Sequence, residues 1–476
     1  MKVKSSDYLN QVKPLLKALE SRLLSEYAYA SVLATDAMAK QYSVSGQGTV
    51  ISENSWLSGR GFVVKVYDGN GYAEYSFNEI SEETLDEIVD NIRNSLIPLD
   101  AMLPAGVSKS AYAMLADEPL TFSESTEYEI DPEQIPDEEL VRRLTELNQA
   151  GRAFDSQILD CAASCTYQRY SKLFLSRNRD MEQNVLWTTG SLRLMAARGQ
   201  EVKTYHKGFS NLGGAEVLNQ MKGAVEEAAA TTVALLKSEP IKPGEYECVC
   251  TPEVTGMIVH EAFGHGVEMD MFVKKRALAE QYVGQYVASP LVTMHDGAAA
   301  AREVASYFFD DEGVPAQDTV VIDHGILKAG ISDIQSAMHL GTQPTGNGRR
   351  ENYERKAYTR MTNTFFEAGA DKVEDMIASI QDGFLLENAT SGMEDPKNWG
   401  IQCMVNMARE IKDGKLTGKI YSPIVLTGYV PDLLKSISMV SDTVELGGGG
   451  MCGKGYKEWV KVSDGGPYIK AKIRLG

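Results

Sequence analysis

Residues 251–266 read TPEVTGMIVHEAFGHG, and this stretch decides how the second half of the chain is interpreted. Thr251, Pro252 and Glu253 are typical of a helix start: a hydroxyl caps the first N–H groups, proline suits the first helical position, and an acid suits the positive end of the helix dipole. Apolar residues then recur at helical spacing. The sequence therefore predicts a helix that begins at Pro252 and leads into two histidines.

The histidines at the end of this helix suggest a zinc hydrolase. His260 and Glu261 are adjacent and His265 follows; imidazoles bind zinc, and the glutamate can serve as general base. Histidines four residues apart lie about 40° from each other on an ideal helix, whereas these two, five apart, lie about 140° from each other. Because Gly264 and Gly266 flank His265, we expect the helix to end or unwind there and to bring the two imidazoles together.

A catalytic zinc site also needs a third protein ligand. Glu268 and Asp270 are candidates close to the motif. A distant candidate is Cys452 in the stretch GGGGMCGKG of residues 447–455, where glycines allow the backbone to approach an ion or a substrate closely. We expect the nearby Lys454 to favour the thiolate form of Cys452. Residue spacing alone leaves all three ligand candidates open.

The other five cysteines are predicted to be buried structural thiols. No two of them repeat a spacing that is typical of a zinc ribbon, and a free cysteine is by default a small apolar residue of the core. These residues are Cys161, Cys165, Cys248, Cys250 and Cys403.

The chain divides at residues 238–244, which read SEPIKPG, because two prolines and a glycine interrupt regular structure. We predict an N-terminal domain of mixed helices and strands at residues 1–238. A β-rich C-terminal domain at residues 239–476 would carry the metal-site helix. Helices and strands do not alternate strictly, so the sequence favours the α+β class over a doubly wound sheet.

Several elements of the first half follow from periodicity. Apolar residues at helical spacing predict a helix over residues 9–23, and alternating residues around an Asp-Gly-Asn-Gly turn predict a β-hairpin over residues 62–77. Amphipathic helices are predicted to begin at Ser81 and near Asp137. Residues 98–136 are rich in proline, serine and acids and predict a long loop.

The composition excludes several classes of protein. The 476 residues contain 47 Lys and Arg against 66 Asp and Glu, for a net charge of −19. Nucleic acid and anionic membranes are therefore poor partners. Six cysteines do not make a disulfide framework, and we find neither a signal peptide nor an apolar run that could span a membrane. We expect a soluble protein of the reducing cytoplasm.

The second half resembles the TldD/PmbA metalloproteases, a family once called modulators of DNA gyrase. The resemblance covers six motifs that occur in family order, while the first half matches only in pattern. These motifs are HEAFGHG at 260–266, DEGVPAQ at 311–317, PTGNGRRE at 344–351, RMTNT at 360–364, ISMV at 437–440 and MCGK at 451–454.

The resemblance implies a zinc-dependent peptidase of the motif-bearing, TldD-like class. It implies His260, His265 and Cys452 as zinc ligands and Glu261 as the base that activates a zinc-bound water. It further implies unfolded or extended peptides as substrates, and a dimer formed with a second copy or with a family member that lacks the motif. Residues 455–459, GYKEW, depart from the Gly-Gln pair that many members have after Cys-Gly-Lys.

Three alternatives stay open at the level of the sequence. Cys452 could be the nucleophile of a cysteine peptidase, with a histidine as base. The chain could instead be a non-catalytic subunit that binds a peptide or a partner. A regulator of DNA or gyrase is the third alternative, against which the net charge of −19 argues.

Overall fold

A computed structural model describes residues 1–95, 111–455 and 458–476. Residues 98–110 of the predicted loop, and Tyr456 and Lys457 of the stretch after Cys-Gly-Lys, lie outside the described residues. The helices are α1 Asp7–Leu24, α2 Leu85–Ser95, α3 Asp137–Ala153, α4 Val217–Leu235, α5 Pro252–Ile258, α6 Met269–Val273, α7 Ile334–Leu340, α8 Val373–Ala378 and α9 Val430–Lys435, with a π-helical turn at Val259–Gly264 and 3-10 turns at Pro132–Gln134, His265–Val267 and Leu278–Tyr282.

The strands of the first half are long and those of the second half are mostly short. In the first half they are β1 Tyr29–Ser45, β2 Gly48–Glu53, β3 Gly59–Tyr67, β4 Tyr72–Phe77, β5 Leu120–Ser125, β6 Ile158–Ser176, β7 Arg179–Arg198 and β8 Glu201–Asn211. In the second half they are β9 Gly244–Cys250, β10 Met294–Asp296, β11 Thr319–Asp323, β12 Ile326–Leu327, β13 Gly348–Arg349, β14 Tyr358–Thr359, β15 Asn363–Phe366, β16 Asp382–Asp395, β17 Gly400–Lys412, β18 Lys415–Tyr421, β19 Ile424–Tyr429, β20 Met439–Val440, β21 Glu445–Gly447, β22 Met451–Lys454, β23 Glu458–Lys461, β24 Ser463–Gly466 and β25 Ile469–Leu475.

The first half forms one eight-stranded sheet in the order β4-β3-β1-β6-β7-β5, with β2 paired to β1 and β8 paired to β7. The predicted hairpin is confirmed, with Tyr67 opposite Tyr72. Helix α1 is confirmed and buries its apolar residues, and helix α3 is confirmed with its start at Asp137. Helix α2 begins at Leu85, four residues after the predicted Ser81, because residues 81–84 form a hydrogen-bonded turn instead. The predicted loop 98–136 contains strand β5, which pairs in parallel with β7.

The second half is built from a six-stranded sheet and a strand ring. Strands β12-β11-β10-β15-β24-β21 form the sheet. Strands β9, β25, β19, β17 and β16 pair in that order, and β16 pairs back to β9, so the ring closes. Helix α5 packs between β16 of the ring and β24 of the sheet. Its continuation buries Phe263, whose ring centroid lies 6.1 Å from that of Trp399.

This arrangement confirms the predicted α+β class, with a mixed first half and a β-rich second half that carries the motif helix. The strands of the first sheet all end by Asn211, and the strands of the second half begin at Gly244. The domain boundary predicted between residues 238 and 239 is compatible with this division and stays a prediction. Among the described helices, none is both long and apolar enough to cross a lipid bilayer.

Candidate metal centre

The motif helix changes its winding at the histidines. Helix α5 continues directly into the π-helical turn and then into the 3-10 turn that begins at His265. The N–H of His265 donates to the carbonyl of His260, five residues earlier. In such a wide turn residues five apart lie nearly above one another. The two imidazoles therefore share one side of the helix, with ring centroids 5.1 Å apart and ring planes at 90°.

The helical run ends at Val267, directly after the two glycines, and its winding changes at the histidines as expected, but neither glycine breaks the helix. Gly264 has the helical angles φ −58° and ψ −53°, and Gly266 has no positive φ either. Both glycines instead make room for neighbours. A Cβ on Gly264 would lie 2.1 Å from Sδ of Met361, and one on Gly266 would lie 2.7 Å from Oε1 of Glu394. The wide turn brings the histidines together, and the glycines let other chain segments pack against it.

The helix start is where the sequence predicts it, with one difference. Thr251 is the N-cap, Pro252 is the first helical residue and Glu253 lies in the first turn. The Thr251 hydroxyl makes no capping hydrogen bond, and its buried oxygen has no partner within the described residues.

Cys452 lies next to the histidines although it is far away in sequence. It is on β22, which pairs with β23 in a short hairpin. Its Sγ lies 3.4 Å from Nε2 of His265. One ligand atom each from His260, His265 and Cys452 lie within 4.8 Å of one another. The structure thus brings together the three residues that the resemblance implies as ligands.

The three side chains influence each other's protonation. Burial alone would raise the pKa of the Cys452 thiol, but hydrogen bonds and charge from the two imidazoles lower it to about 4. Burial by itself would lower the pKa of both histidines. The contact with Cys452 nevertheless raises the pKa of His260, and Glu268 together with Cys452 raises the pKa of His265 well above its usual value. The group therefore favours a thiolate, which is the form that binds metals.

The two nearby candidates for the third ligand pair with other charged groups. Oε2 of Glu268 lies 3.2 Å from Nδ1 of His265, on the other side of the ring from Cys452. Asp270 pairs with Lys274 and Lys454. The Lys454 ammonium contacts these two carboxylates, and the largest effects that lower the pKa of Cys452 come from the two imidazoles. That Lys454 also favours the thiolate stays a prediction.

Each imidazole has a carboxylate near its outer nitrogen, and that of Glu268 is within hydrogen-bond distance. Glu268 is 2% exposed, and although burial raises its pKa, Lys454 and His265 lower it to about 2. Oδ2 of Asp464 lies 3.8 Å from Nδ1 of His260, which is buried and has no hydrogen-bond partner within the described residues. Burial raises the pKa of Asp464 to about 6, with His260 opposing. Such outer carboxylates orient metal-binding histidines in many proteins.

Glu261 is partly exposed beside the three residues. Its side chain packs against Gly392 of β16, where a Cβ would lie 2.4 Å from Cγ of Glu261. No described residue donates a hydrogen bond to its carboxylate, which leaves both oxygens able to accept from water or a substrate. A second carboxyl, that of Glu394, is buried nearby with neither oxygen hydrogen-bonded, and burial raises its pKa well above the usual value.

The donor set fits zinc. Two imidazoles and a thiolate are ligands that zinc prefers, and three protein ligands leave one position open. The Glu268 carboxylate behind His265 also matches the usual surroundings of a histidine that binds zinc, and the Asp464 carboxylate lies 3.8 Å from His260. The sequence predicted no role for Asp464, Glu394 or Arg360. The position of Arg360 in the RMTNT motif could have drawn attention to it, whereas no local pattern distinguishes Asp464 and Glu394 from other acidic residues.

Comparison with known proteins matches the second half of the chain to a known family. The model of the PmbA/TldA metallopeptidase C-terminal domain matches residues 243–474. A metalloprotease of Methanothermobacter thermautotrophicus is 31% identical over 59% of this chain and 61% of its own length. A metalloprotease of Synechocystis is 29% identical over 98% of each chain. A zinc metalloprotease TldD homolog of Saccharolobus solfataricus is 29% identical over 51% of this chain and 54% of its own length. For the first and third of these relatives, the match spans less than two thirds of their length.

Solved structures share the fold. A protein of Bacteroides thetaiotaomicron named as a modulator of DNA gyrase superposes with a TM-score of 0.77 and 17% identity, over 99% of each chain. TldE of Thermococcus kodakarensis superposes with a TM-score of 0.73 and 18% identity, over 96% of this chain and 99% of its own. Residues 243–474 therefore match the metallopeptidase C-terminal domain of the PmbA/TldD family, and the chain as a whole shares the fold of these structures.

Proposed function

We propose that this protein is a zinc-dependent peptidase that hydrolyses unfolded or extended peptides. The observation that carries the proposal is the approach of His260, His265 and Cys452 to within 4.8 Å of one another. Three such donors, two of them on one helix and the third 187 residues away, are what a metal site with one open position requires.

The residues of the site have separate roles. His260, His265 and Cys452 would hold the ion. When bound, zinc supplies Lewis acidity, which polarises a carbonyl and lowers the pKa of water from about 16 to about 7. Glu261 is the base: its carboxylate accepts a proton from the attacking water and passes it to the nitrogen of the leaving amine. The free carboxylate oxygens of Glu261 support this assignment.

Strand β8 lies at the edge of the first sheet, next to the second half of the chain. Among the described strands it pairs with β7, and along its other edge the Asn388 and Asn406 side chains donate to the carbonyls of His206 and Thr204, contacts that an extended substrate would replace. At one end of β8, the Ser210 hydroxyl accepts from the N–H of Gly448, in the glycine run that leads to Cys452. An extended peptide can add to a sheet edge through main-chain hydrogen bonds, which select for conformation and not for side chains.

We further propose that the protein acts as a dimer, with itself or with a family member that lacks the motif, so that the site is enclosed. The likeness of the fold to TldE supports a relation to such a partner. An enclosed site would admit unfolded chains and exclude folded proteins. The test measures the mass in solution and compares cleavage of one substrate before and after denaturation; equal cleavage of both forms, or an active monomer, would contradict enclosure.

The central experiment measures the metal content of the purified protein together with peptide hydrolysis. We expect about one zinc per chain, loss of hydrolysis on removal of the metal with a chelator, and recovery on addition of zinc. A purified protein that hydrolyses peptides fully without metal would contradict the proposal.

A cysteine peptidase is the second candidate, because the Cys452 thiolate lies 3.4 Å from an imidazole nitrogen. A chelator should leave a cysteine peptidase active, whereas an alkylating reagent should inactivate it. A third possibility is a non-catalytic subunit that binds a peptide or a partner. If the protein is such a subunit, the Glu261→Gln variant should function like the wild type. The net charge of −19 argues against a regulator that contacts DNA.

A further inference from the structure

Arg360 of the RMTNT motif holds the hairpin that carries Cys452. The side chain is 1% exposed. Its Nη2 donates to the carbonyl of Cys452 at 2.6 Å, and its Nη1 donates to the carbonyl of Glu458 at 2.9 Å. One guanidinium thus contacts both strands of the β22–β23 hairpin, and one of its contacts is on the ligand residue itself.

Glu268 and Lys454 connect the same hairpin to His265. Oε2 of Glu268 contacts both Nδ1 of His265, at 3.2 Å, and Nζ of Lys454, at 3.0 Å. Lys454 also donates to Oδ1 of Asp270 at 2.6 Å and to the carbonyl of Thr359 at 3.0 Å. All three donor sites of its ammonium therefore have acceptors.

The carboxylate of Glu268 also lies close to the guanidinium of Arg360. Oε1 of Glu268 lies 4.0 Å from Nε of Arg360, and neither atom has a hydrogen-bond partner among the described residues. A continuous path of charged groups thus runs from the backbone of Cys452 through Arg360 and Glu268 to His265. A second path runs through Lys454, two residues after Cys452.

Buried charges are a poor way to gain stability, because the loss of hydration offsets most of their attraction. Their established use is to select one geometry among alternatives. Here the charges connect a helix to a hairpin that follows it by almost two hundred residues, at the point where both supply a candidate ligand.

We propose that Glu268, Lys454 and Arg360 form a positioning network that holds His265 and Cys452 at ligand distance before a metal binds. The proposal rests on the proposed function, because it assumes that these two residues are ligands. Glu268 fixes the orientation and tautomer of the imidazole, and Arg360 fixes the backbone of the thiolate. Loss of such outer partners typically weakens metal binding by about 10- to 100-fold.

Arg349 offers a matched control. Its guanidinium also donates to two carbonyls, those of Met361 and Lys461, each at 2.6 Å. It is buried, at 9% exposed against 1% for Arg360, and it contacts the same hairpin at Lys461, the opposite end of β23 from Glu458. It makes no described contact with His265 or Glu268, so its loss should destabilise the fold without changing the ligands.

The experiment titrates the metal-free protein with Co²⁺ and follows the absorption band of the cobalt–thiolate bond, with a melting curve for each variant. In Glu268→Gln and Arg360→Met we expect Co²⁺ affinity to fall by about 10- to 100-fold and the thiolate band to weaken. In Arg349→Met we expect a lower melting temperature and a change in affinity below about 10-fold.

The possible results separate the two proposals. Wild-type affinity and band in Glu268→Gln and Arg360→Met, or equal losses in all three variants, would overturn the positioning network. If Arg360→Met does not fold, Glu268→Gln, which keeps the size of the side chain, decides by the same criterion. If the wild-type protein gives no thiolate band, the proposed metal site is wrong and the network proposal is rejected with it.

Discussion

Two buried cysteine environments of this protein differ in what surrounds the sulfur. Cys403 lies inside the strand ring and is 1% exposed, and Cys452 beside the two histidines is 5% exposed. Burial raises the pKa of Cys403 to about 12. Burial acts on Cys452 in the same direction, yet the two imidazoles lower its pKa to about 4. The difference teaches that charged neighbours, and not exposure, set the pKa values of these two thiols apart.

The largest expected effect is that of replacing each of these thiols in turn. Cys452→Ala should weaken zinc binding by more than the roughly 10- to 100-fold typical of an outer residue, and abolish hydrolysis, because a direct ligand is lost. Cys403→Ala should bind zinc and hydrolyse peptides like the wild type. Metal analysis and a peptide assay on both variants test this. A Cys452→Ala variant that keeps one tightly bound zinc would remove Cys452 from the ligand set.

Glu261→Gln separates the binding of metal from the chemistry at the same site. The change keeps the size of the side chain but removes its basic carboxylate. We expect kcat to fall by about 10²- to 10⁴-fold while zinc content and melting temperature stay unchanged. Steady-state kinetics on metal-loaded protein gives the answer, and retained turnover would reject Glu261 as the base.

The pH dependence of alkylation should distinguish the two thiols without any mutation. A thiol with an ordinary pKa of about 8.5 is less than about 1% thiolate at pH 6. Cys452, with its pKa lowered to about 4, is thiolate throughout the range above that value. We expect iodoacetamide to label Cys452 of the metal-free protein at pH 6, as mass spectrometry would show, and to leave Cys403 unlabelled.

Bound zinc provides the control for this labelling. A coordinated sulfur is no longer free to attack, so the metal-loaded protein should be labelled much more slowly at Cys452. Labelling at the same rate with and without metal would contradict coordination by Cys452. Labelling that requires pH values above about 8 would contradict the lowered pKa.

The smallest expected effect is on stability. Cys403→Ala removes one buried atom from the core inside the strand ring, which should lower the free energy of unfolding by about 1 kcal/mol. Denaturant unfolding of the metal-free variant measures this difference. A loss of metal affinity in this variant would indicate that Cys403 contributes to the site through Glu261, since both side chains pack against Gly392.

The parts of the fold that the sequence predicted are those that local spacing encodes. Helix α1, the β3–β4 hairpin and the start of helix α5 at Pro252 all follow from apolar periodicity, turn residues or the chemistry of a helix terminus. The sequence did not predict the π-helical turn around the histidines. Gly264 and Gly266 are compatible both with a broken helix and with close packing, and only their contacts with Met361 and Glu394 distinguish the two.

The same division holds for the candidate site. The sequence by itself determined that His260, Glu261 and His265 lie together at the end of one helical segment, because they are so close along the chain. Three candidates for the third ligand stayed open from spacing alone, and the resemblance favoured one of them. Only the tertiary structure decided that Cys452 lies at His265 and that Glu268 lies behind it. Contacts between distant segments depend on how sheets and helices pack together, and no periodicity along the chain records that packing.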